Sequence, residues 1–239
     1  TLVPLTITAG KITLPAGVTS FFVKVPTTQD TGFEGAENFS LTASITGGKS
    51  DSDTSTILDD GTGKVYDDKS IDTNGTADDD RPALTVSGVN VEEGSRAVFT
   101  VTRSKATEAA TLIDLALANV STEAGDFSTT YEWSTDNSTW TTVTGDQISL
   151  AGNTNTFYVR VATTSDNIYE GPEAFSLSAT FVDPALKFAD RVGTSPTLRS
   201  GASASANSTI YDDGSIDGDD GSDSDTTTVK DDDRPALTV

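Results

Sequence analysis

Almost all the side chains able to do chemistry in this sequence are carboxylates. Four acid-bearing segments are spread between residues 91 and 214: Val91-Glu92-Glu93-Gly94, Gly125-Asp126-Phe127, Asp166-Asn167-Ile168-Tyr169-Glu170-Gly171-Pro172-Glu173 and Tyr211-Asp212-Asp213-Gly214. Carboxylates brought together repel one another, which raises their pKa values or splays the loops that carry them. A hard cation relieves that repulsion, and Ca²⁺ accepts roughly six to eight oxygen ligands in a flexible shell of carboxylates and carbonyls. The chain has no His, Cys or Met. Oxygen ligands are therefore the ones on offer, and they suit Ca²⁺ better than zinc or copper. The same absences exclude a disulfide framework, a zinc finger, imidazole-ligated haem, a Ser-His-Asp triad and a cysteine nucleophile.

The acids are unevenly placed. Of 37 acidic residues, 28 are Asp, and 18 of these lie in residues 59–80 and 211–233, against 15 basic residues and a net charge of −22 overall. Outside those two stretches 19 acids face 12 bases, which is near balance. An apolar content of 34% alone would suggest disorder, but this distribution reads instead as folded modules joined by acidic linkers. So negative a charge argues against nucleic acid, whose affinity comes from Lys and Arg on phosphates. No apolar run is long enough to insert in a membrane, and no basic-then-apolar leader opens the sequence. The sequence reads as a stretch cut from the middle of something longer.

The modules repeat. Asp78-Asp79-Asp80-Arg81-Pro82-Ala83-Leu84-Thr85-Val86 recurs unchanged as Asp231 to Val239, at a spacing of 153 residues. Phe21 to Thr28 parallels Phe157 to Thr164, and Glu34 to Leu41 parallels Glu170 to Leu177, both at a spacing of 136. The second copy therefore carries 17 extra residues between about 180 and 230, among them the small-residue stretch Ser200–Ser208, whose composition predicts a flexible loop. Residues 1–80 are expected to be the C-terminal part of one repeat, a partial sandwich plus an Asp-rich linker. Residues 81–233 are expected to be one full repeat, with the sandwich over about 81–214 and the linker over about 212–233; residues 234–239 begin the next. Tandem arrays of this kind build quasi-one-dimensional objects.

The elements that must position the acids are strands. Alternation of apolar and polar residues with abundant Val, Thr, Phe and Tyr predicts strands at 83–86, 97–103, 112–118, 131–134, 139–142, 147–150, 156–162, 174–179 and 208–211. Ala97, Phe99 and Val101 share one face with Val98 on the other; the odd positions of 157–161 face inward and Arg160 outward. Between Trp133 and Trp140, residues 134–139 have the composition of a hairpin turn. Short, regularly spaced strands separated by turn signals predict an all-β, Ig-like antiparallel β-sandwich. Loops of such a sandwich alternate between its two ends, which allows these distant acids to converge at one tip. Half a sandwich, as in residues 1–80, leaves a sheet face and edges to be covered by other residues or another chain.

Residues 82–103 resemble the start of a Calx-beta domain. So do Glu170-x-x-Glu173-x-Phe175-x-Leu177 and the Asp pair after the last strand. With the added hairpin at Tyr131-x-Trp133…Trp140 and the long repeat, the chain is similar to extender repeats of giant bacterial RTX adhesins secreted by type I systems. The resemblance implies a Calx-beta-like sandwich that binds Ca²⁺ at one tip through Glu92, Asp126, Asp166, Glu170, Asp212 and Asp213, with Glu173 a further candidate. In the first copy the matching acids are Asp30, Glu34 and Glu37. The following Asp pair is read as Asp67 and Asp68, with Lys64-Val65-Tyr66 as closing strand, although Asp59-Asp60-Gly61 matches as well. Linker acids, among them Asp80 and Asp233, are expected to bridge through Ca²⁺ to the tips, while Pro82 and Pro235 fix φ where the next module starts.

Other uses of these residues are weaker. Asp217-Gly218-Asp219-Asp220-Gly221 lacks the twelfth-position Glu of an EF-hand. No glycine-rich β-roll nonapeptide is present. Glu170 and Glu173 could form a glycosidase acid pair, but nothing else in the sequence suggests a sugar cleft, so no enzyme activity is expected. Tyr131, Trp133 and Trp140 suit hairpin and core packing better than sugar stacking. The expectation is a calcium-stabilised structural extender repeat of an extracellular, cell-surface adhesin of a biofilm-forming bacterium. Its partners are neighbouring repeats of the same chain, and another region binds the target surface. A glycan- or protein-binding sandwich is the alternative.

Overall fold

The computed structural model describes residues 4–66, 71–72, 74–189, 197–215 and 232–237. The strands are β1 (Glu37–Ser44), β2 (Ser50–Ile57), β3 (Leu84–Ser87), β4 (Val91–Glu92), β5 (Arg96–Arg103), β6 (Thr111–Asn119), β7 (Phe127–Ser134), β8 (Thr141–Thr142), β9 (Gln147–Leu150), β10 (Thr156–Thr163), β11 (Glu173–Phe181) and β12 (Ser203–Tyr211). A one-turn helix, α1 (Pro184–Lys187), is started by Pro184 and capped by Asp183, whose carboxylate accepts from the Ala185 N–H.

The strands from β3 onward form two five-stranded sheets, ordered β3-β5-β10-β7-β8 and β4-β12-β11-β6-β9. Every pairing within them is antiparallel except β4 with β12. The expected all-β sandwich is the fold observed. Strict alternation builds its core: β5 and β10 bury every second residue, and Ala97, Phe99, Val101, Phe157, Val159 and Val161 are fully enclosed. The facing sheet contributes Ile113, Leu115, Phe175, Leu177 and Phe181. Phe175 lies edge-on to Phe99 at 5.7 Å and stacks on Phe127 at 4.4 Å. Tyr131 is buried in the same core, Trp133 packs edge-on against Phe157, and the Arg160 guanidinium lies 4.4 Å over Trp140.

Two local expectations are corrected. The stretch Ser200–Ser208 is not a flexible loop: from Ser203 it is β12, paired with β11 through eight residues. Its small alternating residues carry no strand signal alone, so the neighbouring strand determines the conformation. Val91–Glu92, outside the predicted strands, forms the short parallel strand β4.

Residues 4–66 are built differently. β1 and β2 form a two-stranded antiparallel ribbon, most of it exposed. Its register repeats that of β11 and β12: Glu37 faces Ile57 as Glu173 faces Ile210. Phe21–Val25, the counterpart of residues 157–161 in β10, forms no strand, and Phe22 is 83% exposed. β10 lies between β5 and β7, whereas residues 21–25 have no such neighbours among the described residues.

Candidate metal centre

One end of the sandwich collects the acids. Asp126 immediately precedes β7, Asp166 and Glu170 lie in the loop from β10 to β11, Glu173 opens β11, and Asp212 and Asp213 follow β12. Backbone hydrogen bonds lock these segments together. The Thr164 N–H donates to the Asp126 carbonyl at 2.8 Å, and the Glu93 N–H donates to the Tyr211 carbonyl at 2.7 Å. Gly171, at φ +78°, makes the left-handed turn that separates Glu170 from β11, as Gly35 does at φ +88° in the first copy.

The carboxylates respond to one another. Ligand oxygens of Glu123, Asp126, Glu170 and Glu173 all lie within 4.8 Å of each other. Desolvation pushes the Glu173 carboxyl up to about 7, reinforced by its hydrogen bond to Asp126 and the charges of Glu123, Asp126 and Glu170. Glu170 is raised too, by desolvation and then by Asp126, Glu123, Asp166 and Asp212. Asp213 is held below its ordinary range by its hydrogen bonds with Ser215. Around the cluster, Glu92 is fully buried and accepts from the Gly214 N–H at 2.7 Å. Glu93 accepts from the Asp166 N–H at 3.1 Å, and Asp212 Oδ2 accepts from the Glu170 N–H at 2.6 Å. The other oxygen, Asp212 Oδ1, is buried with no hydrogen-bond partner, in a residue only 4% exposed.

The first copy repeats the Asp212 part of this arrangement. Asp59 Oδ2 accepts from the Glu34 N–H at 2.8 Å, and Asp59 Oδ1 is likewise buried without a hydrogen-bond partner. The Asp80 N–H donates to the Asp59 carbonyl at 2.8 Å, as the Asp233 N–H does to that of Asp212 at 3.1 Å. Asp60 bridges to Asp79 as Asp213 bridges to Asp232. Asp30, Glu34, Glu37, Asp59, Asp78 and Asp80 line a cavity of about 90 Å³. The Glu34 carboxyl is raised, first by Asp30, then by Glu37 and by burial, and by Glu108 from the sandwich.

Of the acids expected at the tip, Asp126, Glu170 and Glu173 fall within the tight group. Asp166 and Asp212 lie near enough to act on Glu170, and Glu92 and Asp213 flank them through Gly214 and β12. Glu123 joins the group without having been singled out. In the first copy the closing strand is β2, not Lys64-Val65-Tyr66, so the Asp pair in the place of Asp212 and Asp213 is Asp59 and Asp60. Two Asp pairs follow similar local sequence there, and only the pairing of β2 with β1 distinguishes them. Asp67 and Asp68 lie outside the described residues, as does the segment 217–221. Asp80 is buried and ion-paired with Lys105 at 2.7 Å, and its backbone joins the linker to the first tip.

A buried carboxylate oxygen without a hydrogen-bond donor, beside a tight all-oxygen cluster with raised pKa values, fits a hard cation. The second tip meets that test; the first shares the orphaned oxygen and a raised carboxyl, but among the described residues its acids do not draw into so tight a group.

No protein-family model matches the chain, and no curated protein does. Comparison with solved structures finds low-similarity sandwiches. CBD12 from CALX1.2 is 16% identical over 54% of this chain and 45% of that one, with a TM-score of 0.34. The calcium binding domain CBD12 of CALX1.1 is 12% identical over 54% and 44%, at 0.32. The E. coli chaperone DraB is 14% identical over 54% of each chain, at 0.30. The chain spans less than half the length of the two Calx structures. At these values the functional reading rests on the geometry of the site itself. Among the described residues no helix is long and apolar enough to cross a membrane.

Proposed function

We propose that the chain is a calcium-stiffened structural spacer, a tandem β-sandwich segment of an extracellular bacterial surface adhesin that holds a binding region away from the cell. One observation carries the reading: an Asp that accepts from a Glu amide through one carboxylate oxygen and leaves the other orphaned recurs where each Asp-rich linker meets a tip. Asp59, Glu34, Glu37 and Asp30 with Asp78 and Asp80 would hold Ca²⁺ at the first joint. Glu123, Asp126, Glu170, Glu173 and Asp212 would hold it at the second. The ion would neutralise repelling carboxylates and fasten each linker to its tip. In such a spacer the acids are ligands and carry no catalytic role. The resemblance to adhesin extenders supports the cellular setting.

Extracellular Ca²⁺ modules bind in roughly the 10⁻⁴–10⁻³ M range. At about 10 mM Ca²⁺, a site with a Kd of about 0.1 mM stabilises the fold by about 2.7 kcal/mol. The test is the melting temperature in Ca²⁺ and in EDTA. Glu170→Gln is expected to lose most of the calcium shift while melting in EDTA like the unaltered chain. An equal shift in both proteins would remove Glu170 from the site.

A further inference from the structure

We propose that the tip bearing Tyr169 and Arg234 is half of a joint, and that its partner is another copy of this chain's sandwich, whose socket takes Tyr169 as it takes Phe33 here. The inference rests on the spacer reading and names the contact that would align successive modules.

The formed half is visible within the chain. Phe33 leaves the first copy, pairs with Thr107 of the sandwich and is only 7% exposed, as part of the sandwich's own core. Its N–H donates to the Ala106 carbonyl at 3.2 Å, and its carbonyl accepts from the Glu108 N–H at 3.0 Å. The socket is braced from below. The buried Arg103 guanidinium donates to the hydroxyls of Thr107 and Thr111, each at 2.9 Å. The Thr107 N–H donates to the Gly152 carbonyl at 3.0 Å, and a Cβ at Gly152 would stand 2.2 Å from the Thr107 carbonyl oxygen. Beside the socket, Arg81 pairs with Asp79 at 2.8 Å and reaches the Phe188 carbonyl at 3.3 Å.

The second tip repeats the plug without the socket. Tyr169 stands at the Phe33 position of the repeat and is 44% exposed. Arg234 holds Asp232 through two nitrogens, both at 2.7 Å, as Arg81 holds Asp79. The residues that follow, Pro235-Ala236-Leu237, repeat Pro82-Ala83-Leu84. A tyrosine suits the socket: Phe33 lines a cavity of about 290 Å³ that also includes Thr107, Thr111 and Asp183, polar neighbours for a hydroxyl. Plug and socket differ, so the contact is heterologous and propagates head to tail. A buried aromatic anchor is the residue type that dominates such contacts.

The test uses full-length chains in calcium. A ¹⁵N-labelled socket chain carries Phe33→Ser, which opens the socket, and Tyr169→Ser, which stops self-association; its dispersed spectrum reports folding. Adding unlabelled wild-type chain, to about 1 mM because one untethered contact is weak, is expected to shift the amides of Ala106, Thr107 and Glu108. Tyr169→Phe chain is expected to bind within about twofold of wild type, and Tyr169→Ser chain at least tenfold more weakly. Absent shifts, or equal shifts from the Tyr169→Ser chain, would overturn the proposal. A second measurement needs no opened socket. In a chain continued past Val239 by another copy of residues 87–239, amides 106–108 of the added copy are expected to exchange at least tenfold more slowly than in the Tyr169→Ser form; equal exchange would overturn it. A failed docking test beside an intact calcium shift rejects the plug alone. Loss of the calcium shift rejects the spacer reading.

Discussion

The ribbon of β1 and β2 and the strand pair β11–β12 carry the same sequence pattern in the same register, yet one is open to solvent and the other lies inside a sandwich. Leu41 and Leu177 occupy equivalent positions; the first is 46% exposed and the second fully buried. The acid tips beyond them nevertheless share the Asp–Glu hydrogen bond and the orphaned oxygens of Asp59 and Asp212, although, among the described residues, only the sandwich's tip draws four carboxylates within 4.8 Å. The comparison teaches that the two jobs are separable. Burial by neighbouring strands makes the module, while the local hairpin, its glycine turn and the returning linker make the tip.

The largest effect should expose the difference in burial. Leu177→Ala is expected to cost about 2–5 kcal/mol in urea unfolding, because it leaves a cavity in a closed core. Leu41→Ala at the matching position is expected to stay within about 0.5 kcal/mol. Similar losses would mean that the ribbon packs against residues the sandwich comparison does not provide.

The tips should behave alike where the strands do not. Asp59→Asn and Asp212→Asn are each expected to diminish the calcium-dependent gain of about 2.7 kcal/mol. Calorimetric titration with Ca²⁺ should show one class of sites lost in each variant and the other retained. If either variant bound calcium like the unaltered chain, the equivalence of the tips would break there.

A smaller effect belongs to the linker. Lys105 reaches Asp80 Oδ1 at 2.7 Å and the Asp79 carbonyl at 3.0 Å, with its own side chain partly exposed. Lys105→Ala is expected to cost about 0.2–1 kcal/mol, read most sensitively as faster amide exchange at Asp79 and Asp80. Unchanged exchange would show that the linker is held without it.

The smallest effect lies in the hairpin between β7 and β8. Asp136 accepts from the amides of Ser138 and Thr139 and from the Ser134 hydroxyl, which holds its carboxyl well below the usual range. A depressed folded pKa gives stability that is present above the unfolded pKa and lost as pH falls through the folded one. Asp136→Asn should therefore melt below the unaltered chain at neutral pH, and the gap should narrow as the medium is acidified below pH ~4. A gap independent of pH would assign the effect to turn geometry alone.

Much of this was legible in the residues. The alternation in 97–103 and 156–162 marks strands and their inward faces because a half-buried sheet imposes a period of two. Repetition of Glu34 to Leu41 at Glu170 to Leu177 pointed to both tips. What was not legible depended on partners. β4 is too short to show a period, and the Ser-Ala alternation opening β12 has the composition of a loop until β11 lies beside it. Local sequence left two Asp pairs after the first copy, which the register of β1 with β2 separates. Glu123 has no counterpart within residues 1–80, so repetition could not single it out; only the folded loop brings it to Asp126.

The central claim, that calcium fastens each acidic linker to its tip, is tested most directly by small-angle X-ray scattering of the chain in about 10 mM Ca²⁺ and in EDTA at matched NaCl. The predicted result is a rigid particle of fixed maximum dimension in calcium and a broader, flexible distribution in EDTA, since unneutralised Asp-rich linkers repel and extend. Mg²⁺ at equal concentration should rigidify it less, because that ion demands a tight octahedron and gives up water reluctantly. Superimposable curves in calcium and EDTA would contradict the account.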